Sequence, residues 1–277
     1  MTAAQSFLAL VREYVAAVVE KRPLPPDWQA MLRRAAKRAM IPDHQVEEQV
    51  RSYLSQIYDR TLKRHEGMAR FTLASLHPSL RAELTRRIIE SADLIKLNRD
   101  AQIEKTIARF QGWMTSVPPT RSKLVDRREV ASKIARPSIQ ARYELRRVAI
   151  DQGHKLAANI SDLVATHGGA IAAIWHDRGE HDHNYNARKE HLARSGKMFL
   201  IRDSWAIKNG LIKAGAAVYT DEIEKPAQLT YCSCWYEYLI SLEDIPAEWL
   251  TKKGRAAISP KERTDNVVVL RRAHNAA

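Results

Sequence analysis

Phe7, Leu10, Val11, Tyr14, Val15 and Val18 recur at three- and four-residue spacing, the period of one face of an amphipathic helix. The run Arg22-Pro23-Leu24-Pro25-Pro26 stops that helix, because proline brings no backbone N–H to the ladder. Asp27 is then placed to cap a second helix carrying Trp28, Met31 and Leu32. After Ile41-Pro42-Asp43 the pattern restarts with Val46, Val50, Tyr53, Leu54 and Ile57 on one face. Pro78 and Ser79 open another predicted helix through Leu80, Leu84, Ile88 and Ile95, and a further one holds Ile103, Ile107 and Phe110 up to the break at Val117-Pro118-Pro119. Pro137 to Thr166 predicts a long helix with proline in its first turn, with Ile139, Tyr143, Ile150, His154, Ile160, Leu163 and Val164 facing inward. Gly168-Gly169 ends it.

Beyond those glycines the pattern changes. Ala170 to Trp175 is a short apolar run that predicts a buried strand, and Met198 to Ile201, Ala216 to Tyr219 and Leu229 to Ile240 predict further strands. A helix is expected over Asp244 to Leu250, with the charges of Thr251-Lys252-Lys253-Gly254-Arg255 suiting its C-terminus. After Pro260 the chain turns polar, then apolar at Val267 to Leu270, then basic, which reads as a docking arm or a last edge strand. The expected fold is therefore α+β, a helical N-terminal half followed by a small mixed α/β domain with a short antiparallel or mixed sheet. The corresponding divisions are a helical region over 1–130, a mixed domain over 131–258 and a C-terminal arm over 259–277. No repeat and no low-complexity tract interrupts this order.

Composition narrows the class. The 277 residues are 45% hydrophobic, enough to bury a core, and the net charge of +13 favours an anionic partner such as nucleic acid. Arg33, Arg34, Lys37, Arg38, Arg146 and Arg147 are the candidate nucleic-acid contacts; Arg34, Lys37 and Arg38 share a helix face that could track a phosphate backbone. Such residues also serve as a solvated face whose aliphatic stems cover the core. No apolar stretch reaches membrane-spanning length, and Met1 to Gln5 lacks the basic start of a signal peptide. Cys232 and Cys234 are the only cysteines, poorly spaced for a disulfide with each other, so a reducing compartment is expected.

The chemistry-bearing residues concentrate in one stretch. His176, Asp177, Glu180, His181, Asp182, His183 and His191 follow Trp175, and Cys232-Ser233-Cys234 lies further on. Thiolate and neutral imidazole together suit zinc, so Cys232, Cys234, His191 and His181 are the candidate ligands of a structural site. The alternative is that both cysteines are small buried residues packing behind Trp235 while the histidines hold a solvated loop by hydrogen bonds. A hydrolase built on the histidine cluster is a further alternative. The chain has no Gly-x-Ser-x-Gly, no His-Glu-x-x-His and no phosphate-binding glycine loop, so a non-enzymatic role is expected.

The order of these residues resembles the head-morphogenesis (Mu F-type) domain of tailed bacteriophages over roughly residues 130 to 240. The matching features are Ala141-Arg142-Tyr143-Glu144 in a helix, Trp175 at a strand end, then Asp182, Arg188 and His191 in sequence. Gly196-Lys197-Met198-Phe199 follows, and Pro226 precedes Cys232-Ser233-Cys234. The helical region before it, including Gln111-Gly112-Trp113, is also similar to the N-terminal portion of such proteins. Tyr143 stands where threonine is usual, Ser233 where arginine is common, and the Pro226 to Cys232 interval is longer than in the family. The resemblance makes Arg142, Trp175, Asp182 and Arg188 motif residues of the mixed domain. It implies a minor head protein inside the capsid, made in the host cytoplasm and acting in procapsid assembly and DNA packaging or ejection. Its implied partners are the portal protein, the major capsid or scaffold protein and packaged double-stranded DNA, with no membrane and with 1–130 as the portal or DNA contact. A non-specific DNA-binding protein is the alternative from another class.

Overall fold

Thr2 starts α1 (Ala3–Val19) with a capping box: its hydroxyl accepts from Gln5 N–H while the Gln5 side chain accepts from Thr2 N–H. The computed structural model describes residues 2–65, 70–117, 126–177 and 188–258, without the side chains of 70–74, 141, 142 and 144. After α1 come α2 (Trp28–Ala39), α3 (Asp43–Arg64), α4 (Arg70–Ser116) and α5 (Arg127–His167). The rest alternates: β1 (Ala172–His176), α6 (Lys189–Arg194), β2 (Met198–Leu200), α7 (Trp205–Lys208), β3 (Trp235–Leu239), two 3-10 turns and α8 (Lys252–Ile258). The fold is α+β, helical first and then a small antiparallel sheet. No helix among the described residues is long and apolar enough to cross a membrane.

Several expected boundaries move. Asp27 occupies the N-cap of α2 without making a side-chain cap bond; its carboxylate pairs with Arg34 instead. The two helices expected around Leu80 and Ile103 are one, and Pro78 lies inside α4 rather than at its start. Pro137 likewise lies inside α5, which starts ten residues earlier because the Asp126 carboxylate accepts from the N–H groups of Arg128 and Glu129. Ala131, Ile134 and Ala135, all buried, anchor that earlier turn, and their burial offsets the ladder bond that proline removes. Ile139, Tyr143 and Ile150, expected on the inner face of α5, are 50%, 62% and 37% exposed, while Ser138, Val148 and Ala149 are buried.

The chain divides into two compact units, 1–52 with 88–150 and 53–87 with 151–277, so the boundary expected near residue 130 falls inside α5. The first unit is organised on Phe110, which is fully buried and ringed by Tyr14, Trp28 and Trp113 at centroid distances of 6.2, 5.1 and 6.0 Å. Phe7, Val11, Leu32, Ile103, Ile107 and Ile134 complete that core.

The second unit holds the sheet, in the order β2-β1-β3, both pairs antiparallel. Side chains alternate across it. Ala172, Leu200 and Leu239 join Ile171, Ile212, Leu242 and Leu250 in one cluster, whereas Trp175 and Phe199 join Cys232 and Cys234 in another. Ala216 to Tyr219 is not a strand; only Tyr219 bridges to Leu200. The helix expected at Asp244 to Leu250 is two 3-10 turns, Leu242–Asp244 and Ala247–Trp249, and Lys252 to Arg255 begin α8 rather than following a helix. Gly254 lets α8 meet the Leu211 carbonyl: a Cβ there would lie 2.0 Å from that oxygen. Gly254→Ala is therefore expected to destabilise the second unit by about 3 kcal/mol, the upper range for overpacking, seen as a lower denaturation midpoint. Residues 259–277, the expected arm, lie outside the described residues.

Candidate metal centre

Trp175 is the base on which the site is built. Its ring is fully buried and meets His191 edge-on at 5.1 Å and Tyr236 edge-on at 5.6 Å. The turn from α6 into β2 fixes its backbone: Gly196, at φ 74°, donates its N–H to Trp175 O, and Trp175 N–H donates to Lys197 O. The left-handed φ explains the glycine at that position of the motif.

α6 then carries His191 inward, 2% exposed. Arg188, at the head of α6, donates from Nη2 to Thr230 O at 3.1 Å and so ties the helix to the loop bearing the cysteines. That loop is a tight knuckle leading into β3, not the start of a long strand. Ala227 and Tyr231 adopt φ near 60°, and Cys232 N–H donates to Leu229 O. The Tyr231 N–H donates to the carboxylate of Asp151, which is buried and paired with Lys155.

The knuckle brings both thiols to one imidazole nitrogen. His191 Nδ1 lies 3.4 Å from Cys232 Sγ and 3.6 Å from Cys234 Sγ, and all three ligand atoms fall within 4.8 Å of one another. A tetrahedral zinc with ordinary Zn–S and Zn–N bonds sets such atoms about 3.5 Å apart, so the donors already stand at ligand spacing. The cluster can hold a metal ion. Its electrostatics favour a thiolate. The Cys234 thiol, then the backbone N–H groups of Cys234 and Ala227, donate to Cys232 sulfur and pull that thiol below its ordinary range. The Ala227 N–H stands 3.4 Å from that sulfur. The same contact, added to burial, pushes Cys234 up. A divalent cation binds thiolate, so it would displace protons from the cysteines. The Trp175 indole N–H favours the Cys234 thiolate, although its Nε1 is buried without a hydrogen-bond partner among the described residues. His191 Nε2 and Tyr236 Oη are buried without a partner among the described residues, and so is Arg194 Nη1, whose guanidinium sits over the Trp175 ring.

His191, Cys232 and Cys234 converge. His181 and Asp182 lie outside the described residues, as does the side chain of Arg142. The cysteines pack against Trp175, not behind Trp235, which stacks on His176 at 4.2 Å; His176 in turn contacts Glu237 at 2.8 Å. Asp151 was not singled out by sequence, although its four-residue spacing to Lys155 is a readable ion-pair signal.

Arg34, Lys37 and Arg38 are all exposed on α2, at the spacing that gives them one helix face. Arg33 forks onto Glu104 at 2.7 and 2.9 Å and holds that carboxyl below its usual range. Arg34 pairs with Asp27. Lys37, Arg38 and Arg146 are exposed, and Arg147 lies 5.6 Å over the Tyr143 ring. A separate cleft of about 540 Å³ is lined by Arg87, Lys155 and Lys225, but Glu83, Asp151 and Asp162 already pair with these three cations.

No protein-family model matches this chain, and no curated protein or solved structure matches it.

Proposed function

We propose that this chain is a minor head protein of a tailed bacteriophage, non-catalytic, whose second unit is fastened by one structural zinc ion on His191, Cys232 and Cys234. The observation that carries the reading is the convergence itself. Trp175, His191, Cys232 and Cys234, far apart in sequence, pack together and buried, the last three at metal-ligand spacing. Trp175 supports the histidine, Gly196 turns the chain behind it, and Arg188 ties helix to knuckle, so each has a structural task and none needs a substrate. Two thiolates and an imidazole are three of the four donors of a closed structural zinc site, His181 being the fourth that the sequence offers, and the zinc would supply cross-linking rather than chemistry.

The proposed partners are the portal, the major capsid or scaffold protein, and packaged DNA, in the capsid interior. Exposed Lys37, Arg38 and Arg146, with the +13 net charge, support weak backbone contact with DNA. Purified protein is expected to co-sediment with portal rings assembled in its presence and to be found in purified virions. Absence from both would overturn the reading.

A further inference from the structure

α5 has two apolar stripes where a surface helix has one. Ala131, Ile134, Ala135, Val148 and Ala149 are buried. Ile139, Tyr143 and Ile150 form a second stripe at four- and seven-residue spacing, 50%, 62% and 37% exposed. Helices that are apolar on more than one side are covered on more than one side. Arg136 and Arg146 stand on the same exposed face at helical spacing and make no ion pair within the described residues. Arg147 leans over Tyr143 from its flank. Glu129, two turns before Arg136, pairs with Lys133 at 2.6 Å. Aromatic and arginine side chains together make the composition of interface hot spots.

We propose that this face of α5 docks an amphipathic helix of a partner protein, its apolar stripe on Ile139, Tyr143 and Ile150 and its flanking acidic residues on Arg136 and Arg146. Charge selects that occupant. A second copy of this chain would bring the same unpaired arginines, and like charges across an interface are disfavoured. Duplex DNA would answer the arginines but leave two isoleucines against phosphate. The inference is independent of the zinc centre and of the phage reading, since it rests on burial and charge along one helix.

The test uses the full chain and a synthetic helical peptide of about three heptads, leucine at the seam and glutamate flanking. Binding is followed by fluorescence anisotropy. The acidic peptide is expected to bind, Tyr143→Ala to weaken it at least tenfold, and a lysine-flanked peptide to fail. The doubly reversed variant Arg136→Glu with Arg146→Glu is expected to lose the acidic peptide and accept the lysine-flanked one. These positions are exposed, so unchanged circular dichroism establishes that each variant is folded. Equal binding of both peptides to the parent chain, or no exchange of preference in the reversed variant, overturns the proposal. So does a dimer of the parent chain, in sedimentation, that Tyr143→Ala disperses.

Discussion

If the proposed zinc is bound, Cys232→Ser is expected to abolish its binding and unfold the second unit while the core around Phe110 stays folded. Cys232 sulfur is fully buried, 3.4 Å from His191 Nδ1, and accepts the Ala227 N–H at 3.4 Å. Serine offers no thiolate. Zinc lends a small structural site roughly 10–16 kcal/mol of binding free energy, and losing one of its protein ligands forfeits a large part of that. Chelation of the parent protein should reproduce the variant. The reading is circular dichroism and tryptophan fluorescence during titration with a chelator: Trp175 touches the site, so its emission should shift first. If the cysteines were only packing residues, the serine variant would cost little more than an isolated polar exchange, about 1–3 kcal/mol, and chelators would do nothing.

The second large effect lies in the other unit. Phe110→Ala is expected to cost about 3–5 kcal/mol, the range for deleting a fully buried phenylalanine. Three rings, those of Tyr14, Trp28 and Trp113, surround it, and none can collapse into the vacated volume without leaving its own packing. Denaturant unfolding followed by far-UV circular dichroism should show a lowered midpoint with the zinc content unchanged. The two variants together separate the units: one loses metal and the sheet, the other only the helical core.

Much of this was legible in residue order, for identifiable reasons. α1 carries a single apolar face and a proline-rich stop, so its limits follow from spacing. His191 and the Cys-x-Cys pair stood out because imidazole and thiol are rare and their chemistry is narrow. The two expected segments of α4 join across Ser91 and Arg99, polar residues at buried positions that break its apolar stripe. Arg99 is tolerated there because Asp43 and the Ile41 carbonyl satisfy it, a partnership from another helix that spacing does not reveal. Ile160 and Val164 of α5 are buried as their spacing implies, but over the first half of the helix two apolar stripes compete, and the stripe of larger residues, Ile139, Tyr143 and Ile150, is the exposed one. Ala216 to Tyr219 has the composition of a strand but a single bridge, Tyr219 to Leu200; only Tyr219 is buried against the sheet, and Val218 is exposed. The left-handed turns at Ala227 and Tyr231, which shape the knuckle, fall on residues with no sequence signal for that conformation.

The account turns on whether His191, Cys232 and Cys234 hold an ion. Elemental analysis of freshly purified, reduced full-length protein measures this directly. About one zinc per chain is expected, with none retained by the Cys232→Ser, Cys234→Ser double variant. Substoichiometric zinc in the parent protein, or the same zinc content in both, would contradict it.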